Sequence, residues 1–582
     1  MIRSHRSLFS LILGVVLFSG FSVYAHAQEN TAKPNAEEIA ALREKAFKLL
    51  DTVAGQLTTL QSAENRARIG ANIVDALWKH DEERARSLLR VVQEDIRTEL
   101  HKQDRDRLDH TRFAVFLKLR YETVERIAKY DGQAAFDFLK VTYPPFEEDE
   151  PYSFRNNEQA LELRLAKQIA ANNPDVALKL GRQALEQGFN NDLLALLAKL
   201  NRKHKDQAQV LYKDIVDKLR DTELMEDWST TQFVQLLIHA YQPPDADAST
   251  YRDAVGIVVT MALARGCENQ KSDDYTRSQS CEWAATVLVP AERYDSRIAK
   301  LKHWATGNYE SLRYIIASEE ARGLMEEGAF DEVERLASKY PEMQAGFYQQ
   351  AILRAMFSGE KDKARQLIDR FPGDPAKRQE LLAQLERIEK RAVPTDEQLA
   401  EIKKRVDAFP NERLRVHYLL SVANQFAAAD QKLAMKFLEQ AAAAIESMKP
   451  GKEQTEVRLG LALLYSVLKS DRGFTIMESL VPKLNELIEV AVKLDGYDTN
   501  YLRDGEWNMS ANGSVGEILT MLSQRAGDFA RYDFDRAVSL ASQFERPEIR
   551  MMAHLKLAQS VLEERRRPIV QPFNNNGYVI RY

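Results

Sequence analysis

From about residue 36 to about residue 563, apolar positions recur at intervals of three and four, the spacing that gathers side chains on one face of an α-helix. Ile69, Ile73, Ala76 and Leu77 follow it, as do Leu161, Leu165 and Ile169, and Val416, Leu419, Leu420, Ala423 and Phe426. Helix starts are marked as well. Asn173-Pro174 puts a capping residue before a proline at the first helical position. Thr395 to Gln398 and Ser514 to Glu517 fit the capping box. No alternating run argues for a sheet until the last residues, where Tyr578, Ile580 and Tyr582 alternate with Val579 and Arg581. The pattern predicts an all-α chain.

The predicted helices repeat in pairs. Gly328-Ala329-Phe330-Asp331-Glu332-Val333 matches Gly359-Glu360-Lys361-Asp362-Lys363-Ala364 at an offset of 359 − 328 = 31, and Leu336 matches Leu367 at the same offset. Tyr340-Pro341 matches Phe371-Pro372, again at 31. A looser copy has Ala537, Leu540 and Phe544, and Ala85, Ala177 and Ala434 follow Asp81, Asp175 and Asp430 in the same way. In each copy a turn starts a short helix, a small residue packs against the neighbour, and an aromatic closes the pair. Gly328-x-Phe330-Asp331-Glu332-Val333 resembles the turn into the second helix of the tetratricopeptide superfamily of helical repeats. The family spacing is roughly 34 residues, and its Trp-Leu-Gly-Tyr signature is absent here. The resemblance implies an α-solenoid of stacked antiparallel helix pairs, a TPR-like superhelix in which each pair buries the open apolar face of the last.

Four stretches interrupt the pattern: 141–157, 241–250, 267–281 and 495–513, with a seam at Pro394. The expected layout is a signal peptide over 1–27, an N-terminal helical-repeat solenoid over 28–393, C-terminal helical repeats over 394–563 and an irregular tail over 564–582. The signal reading rests on Arg3, His5 and Arg6, the uncharged apolar run from Leu8 to Val23, and Ala25-His26-Ala27, which places small residues where a signal peptidase cuts after Ala27. Such a bacterial-type signal implies a periplasmic or secreted protein. No later segment is apolar enough to span a bilayer. Loss of Arg3 and Arg6 takes the formal charge from −6 to −6 − 2 = −8. A mildly acidic chain with interspersed charges is a poor partner for nucleic acid.

Cys267 and Cys281 are the chain's two cysteines and flank a polar stretch. After export, two such cysteines read as a disulfide. No metal or cofactor is expected. The mature-chain histidines lie more than five residues apart, and Asp495, Asp498, Asn500, Asp504 and Glu506 do not follow the calcium-loop spacing. The chain also lacks Gly-x-Ser-x-Gly, phosphate-loop and His-Glu-x-x-His motifs. The two longer interruptions offer binding groups instead. Tyr143, Phe146 and Tyr152 stand around Glu147 to Glu150, and Tyr497, Tyr501 and Trp507 stand among Asp, Asn and Gly. Rings of these types with polar neighbours suit a binding surface, with rings folded back into grooves as the alternative. The sequence therefore points to an exported helical-repeat module for protein–protein interaction or scaffolding, with a protein partner. The rival is a carbohydrate-active or carbohydrate-binding protein on a helical toroid or superhelix, its carboxylates hidden among the many acids of the helix faces.

Overall fold

A computed structural model describes residues 36–562 apart from 103–109, 145–151, 225–227, 244–245, 270–274, 305–316, 319–320, 322–323, 325–329, 390–395, 428–429, 469–470, 498 and 511–513. The expected signal segment, the seam at Pro394 and the tail from 564 lie outside the described residues. So do Gly328 and Phe146. Among the described residues helices make up nearly all the regular structure, and the two named strands are two residues each. The chain is all-α.

It divides into two compact units. One combines the residues up to Ala76 with those from Ala351 onward, and the other runs from Leu77 to Gln350. These limits differ from the expected 28–393 and 394–563. From Glu82 to Arg220 each helix of the Leu77–Gln350 unit packs on the next and on the next but one within that stretch. Tyr152–Ile169 touches Pro174–Gln187 and Asn191–Lys203, and Pro174–Gln187 touches Asn191–Lys203 and Lys205–Arg220. That is the stacking of an α-solenoid, in which no single pair can bury its own apolar face. In the other unit Glu412–Phe426, Gln431–Glu446 and Lys452–Val467 pack mutually around Leu420, Leu438, Ile445 and Tyr465.

One turn generates these pairs, and its chemistry is local. The last apolar residue of a helix accepts, through its carbonyl, the N–H of the residue four places on, which is the N-cap of the next helix. Asp81 donates to Leu77, Asp131 to Ile127, Asn173 to Ile169, His204 to Leu200, Asp430 to Phe426 and Asp533 to Phe529, at 2.7 to 3.0 Å. The side chains of Asp81, Asp131, Asp430 and Asp533 then accept from the backbone N–H three residues further on, satisfying a donor that the helix itself leaves unpaired. Four residues after each cap stands an alanine: Ala85, Ala135, Ala177, Ala208, Ala434 and Ala537, all buried. A small side chain there lets the returning helix close on its predecessor.

Two details differ from the sequence reading. In the copy with Ala177, Asn173 is the N-cap as expected, but its side chain makes no capping bond. Pro174 there has no N–H to satisfy, so the helix start needs less help. Helices also begin earlier than expected. Tyr152–Ile169 takes in the last third of the 141–157 interruption, and Tyr275–Leu288 takes in the end of 267–281.

The 31-residue match keeps its packing. Val333 and Ala364 are fully buried, and so are the closing aromatics Tyr340, Phe371 and Phe544 to within a few per cent. Gly359 ends the Gln344–Ser358 helix with its N–H on the Met356 carbonyl. The cysteines are joined, with Cα atoms 5.3 Å apart. The Ala248–Ala264 helix ends in a Schellman turn, Cys267 N–H to Ala262 O at 3.1 Å and Gly266 N–H to Leu263 O at 2.9 Å. The buried Trp304 indole donates to the Cys267 carbonyl at 2.7 Å, so Cys267 is fixed from both sides.

Two outcomes follow. Thiol titration of denatured, unreduced protein should find no free cysteine, and replacing both cysteines by serine should cost roughly 3 kcal/mol, the value for closing a loop of about fifteen residues. Ala364→Glu should lower stability by about 3 kcal/mol or more in urea unfolding, because it buries an unpaired charge. Gln366→Glu, on the exposed face of the same helix, should change it by less than about 0.5 kcal/mol.

Candidate functional site

The 495–513 interruption is built around a tight hairpin. Asp504 and Gly505 have φ of 53° and 80°. Two successive positive φ values make the type I′ turn that matches strand twist, and Asp-Gly is the dipeptide that tolerates it. Strand β1 (Leu502–Arg503) pairs antiparallel with β2 (Glu506–Trp507), with Leu502 opposite Trp507 and Arg503 opposite Glu506. The Asp495 carboxylate accepts from Leu502 N–H at 2.8 Å, and Asn508 N–H donates to Tyr501 O at 2.7 Å.

The turn aims side chains at the first part of the chain. Glu506 accepts from Gln61 N–H at 2.7 Å, Ser62 N–H at 3.2 Å and the Asn65 side-chain amide at 3.1 Å. Ser62 is the N-cap of the Ala63–Leu77 helix, since its carbonyl takes the Arg66 N–H. Glu506 thus plays the part that a capping-box glutamate plays from within a helix, and its charge suits the positive end of the helix dipole. Glu64 beside it is buried and accepts from Arg68 at 2.9 Å, from Ser510 Oγ at 2.7 Å and from Arg503. Burial pushes the Glu64 carboxyl up, but Arg68, Ser510 and Arg503 together outweigh it and leave it below the usual carboxylate range.

On the other side, Trp507 N–H donates to the buried Glu548 at 2.6 Å, at the start of the Pro547–Leu562 helix. That helix packs along Ala36–Gln56, and Gln559 donates to Asn72 O at 3.1 Å. Among the described residues, three buried polar atoms along the start of the Ala63–Leu77 helix have no hydrogen-bond partner: Ser62 Oγ, Asn65 Oδ1 and Arg68 Nε.

Tyr501 and Trp507 lie inside this clasp, 4% and 3% exposed, with ring centroids 5.5 Å apart. The expectation that all three rings face a partner therefore holds in exposure for Tyr497 alone, at 88%. The cause is chemical. The hairpin needs a filler between two helices, and a large ring supplies it. Asp495 and Glu506, two of the oxygen groups considered for calcium, are engaged by backbone N–H groups, and Asp498 lies outside the described residues. Tyr497 instead follows two further exposed apolar residues that sequence reading missed. Val490 and Leu494 are 52% and 46% exposed and precede it at helical spacing. The turn runs on past the helix end through Leu494 N–H to Val490 O and Tyr497 N–H to Leu494 O. The signal was available, because Val490 and Leu494 fall off the buried face marked by Leu484, Ile488 and Ala491.

In the Leu77–Gln350 unit, Tyr143 is 43% exposed and Tyr152 opens the Tyr152–Ile169 helix. Next to them lies a buried polar cluster with no counterpart in the sequence reading. Arg120, fully buried, donates to Thr142 Oγ1 at 3.0 Å, Glu158 Oε1 at 2.5 Å and Leu139 O at 3.0 Å. One turn beyond Glu158, the buried Glu162 accepts from Gln183 and from Gln187, the latter at 3.1 Å. Burial, with Glu158 nearby, pushes the Glu162 carboxyl up to about 7 against the opposing charges of Lys140 and Arg120. Burial and Glu158 also push the Tyr121 phenol up to about 12. At 2% exposure each, the two carboxyls are closed to a sugar.

Among the described residues no group of three or more His, Cys, Asp or Glu could hold a metal ion, and no helix is long and apolar enough to cross a membrane. No protein-family model matches the chain, and no curated protein matches it. Among solved structures it is similar to a circular tandem repeat protein with novel repeat topology and enhanced subunit contact surfaces, at 13% identity over 89% of this chain and 97% of that one. The TM-score is 0.14, too loose a likeness to bear on fold or function.

Trp507→Ala should lower stability by roughly 3–5 kcal/mol in urea unfolding, as truncating a buried aromatic does. A loss under about 0.5 kcal/mol would mean that the ring is not part of the clasp.

Proposed function

We propose that the protein is an exported helical-repeat module that binds a protein partner, with the face formed by Val490, Leu494 and Tyr497 at the centre of contact. The observation that carries this reading is the exposure of three large apolar side chains close together in sequence, on and just past the end of a helix whose other face is packed. Contiguous exposed apolar groups mark interaction sites more often than scattered ones do. Tyr is among the ring types enriched where binding energy concentrates. Three residues do not fill a standard interface of about 800 Å² per partner. They supply its apolar centre, and the charged helix faces around them supply the rim. The turn that carries Leu494 and Tyr497 is tied to the hairpin by Asp495, which accepts from Leu502 N–H, and this order lowers the entropy lost on binding. Export rests on the signal pattern over residues 1–27, and the partner is then a protein of the periplasm or exterior.

The test uses the full chain. Leu494→Asp combined with Tyr497→Ala should leave the melting temperature within about 2 °C of wild type, because neither side chain is packed. A photo-crosslinker placed at Val490 should trap a discrete partner in the native envelope fraction, and the double variant should lose that adduct. Retention of the same adduct by the folded double variant would remove this face from the contact.

A further inference from the structure

We infer that Glu158 and Glu162 form a proton-sharing carboxyl pair, with neutral Glu162 donating its O–H to Oε2 of Glu158, and that this proton steadies the Arg120 contacts that tie Leu139 and Thr142 to the Tyr152–Ile169 helix. Glu158 Oε1 is taken by Arg120, but Oε2 is buried and has no hydrogen-bond partner among the described residues. A buried carboxylate oxygen left bare is costly, so a donor is called for. Glu162 stands four residues on in the same helix, where side chains are neighbours about 5–6 Å apart at Cβ. As a carboxylate it could only accept. As an acid it gains one O–H, and the amides of Gln183 and Gln187 still bond to its oxygens.

The charges facing the pair fit this assignment. The His110–Ile127 helix contributes Arg120 and Tyr121, and Gly132–Val141 contributes Lys140, whose ammonium is taken by the Gln183 carbonyl oxygen. Pro174–Gln187 contributes the uncharged Gln183 and Gln187, and from Asn191–Lys203, Asp192 pairs with Lys167 at 2.8 Å. With one proton on the pair, one buried negative charge meets one buried guanidinium. Without it, two carboxylates one turn apart share Arg120, which is costly in a dry site. Burial raises Glu162 in that same direction.

Arg120 makes the pair more than a local detail. It bonds to Leu139 O and Thr142 as well as to Glu158. Loss of the proton therefore loosens the link between Thr142, the neighbour of Tyr143, and the Tyr152–Ile169 helix. Glu162 binds its proton more tightly folded than unfolded, so its contribution to stability is full below the ordinary glutamate value of 4.5, declines as pH rises, and is lost through about 7.

Glu162→Gln, which mimics the neutral acid, should remove this dependence. From pH 5 to pH 8 the unfolding equilibrium constant of wild type should rise on the order of a hundredfold more than that of the variant. Infrared spectroscopy of the wild-type full chain gives a second measure that does not depend on a variant folding. A protonated-carboxyl band should be present at pH 6, fade by pH 8.5, and fade at lower pH in Glu158→Gln. Parallel unfolding profiles for wild type and Glu162→Gln, absence of a titrating band in wild type, or a band that titrates unchanged in Glu158→Gln would each overturn the pair.

Discussion

The unit that joins both parts of the chain depends on one carboxylate at one helix start. Glu506 meets the N–H groups of Gln61 and Ser62 and the amide of Asn65, more than 440 residues earlier in the chain. A helix N-terminus exposes unpaired donors and a partial positive charge, and a buried one must find an acceptor. The Ala63–Leu77 helix carries no glutamate of its own at the position that would cap it, since Asn65 stands there. The hairpin supplies the missing group, and a two-residue turn is what allows it to do so. Arg503 and Ser510 then neutralise and satisfy Glu64, Trp507 fills the space between, and Glu548 fastens the far strand to the last described helix.

Two kinds of contact hold the chain. In both units the same turn recurs, with an apolar residue, a cap (Asp, Asn or His) and a buried alanine at intervals of four, and each step is satisfied by neighbours in sequence. Local closure of this kind lets a helical array grow step by step, with little chain entropy lost per contact. The clasp is the opposite case. Its contacts join residues far apart in sequence, so they must overcome a large loop-closure cost and do so with many groups at once.

That difference decides what was legible in the sequence. The helices, the turn alanines, the closing aromatics Tyr340 and Phe371 and the Cys267–Cys281 bond were all visible, because each is a statement about residues within some fifteen positions of one another. Asn173 was misjudged only in detail, since Pro174 makes its side-chain cap dispensable. The hairpin was missed although Asp504-Gly505 announces it, because the strands are too short to show alternation. The burial of Tyr501 and Trp507 could not be read at all. Aromatic rings among polar residues look the same whether they face solvent or a helix that lies hundreds of residues away. Arg120, Glu158 and Glu162 were hidden for the same reason, as three more charges on helix faces that carry many.

The central claim is that the start and the end of the described chain form one cooperative unit through this clasp. Native-state hydrogen exchange tests it most directly. If the clasp holds, the slowest amides of Ala63–Leu77 and of Pro547–Leu562 should open with the same free energy and the same denaturant dependence. Exchange of Ala63–Leu77 through a separate, lower-energy opening that leaves Pro547–Leu562 protected would contradict it.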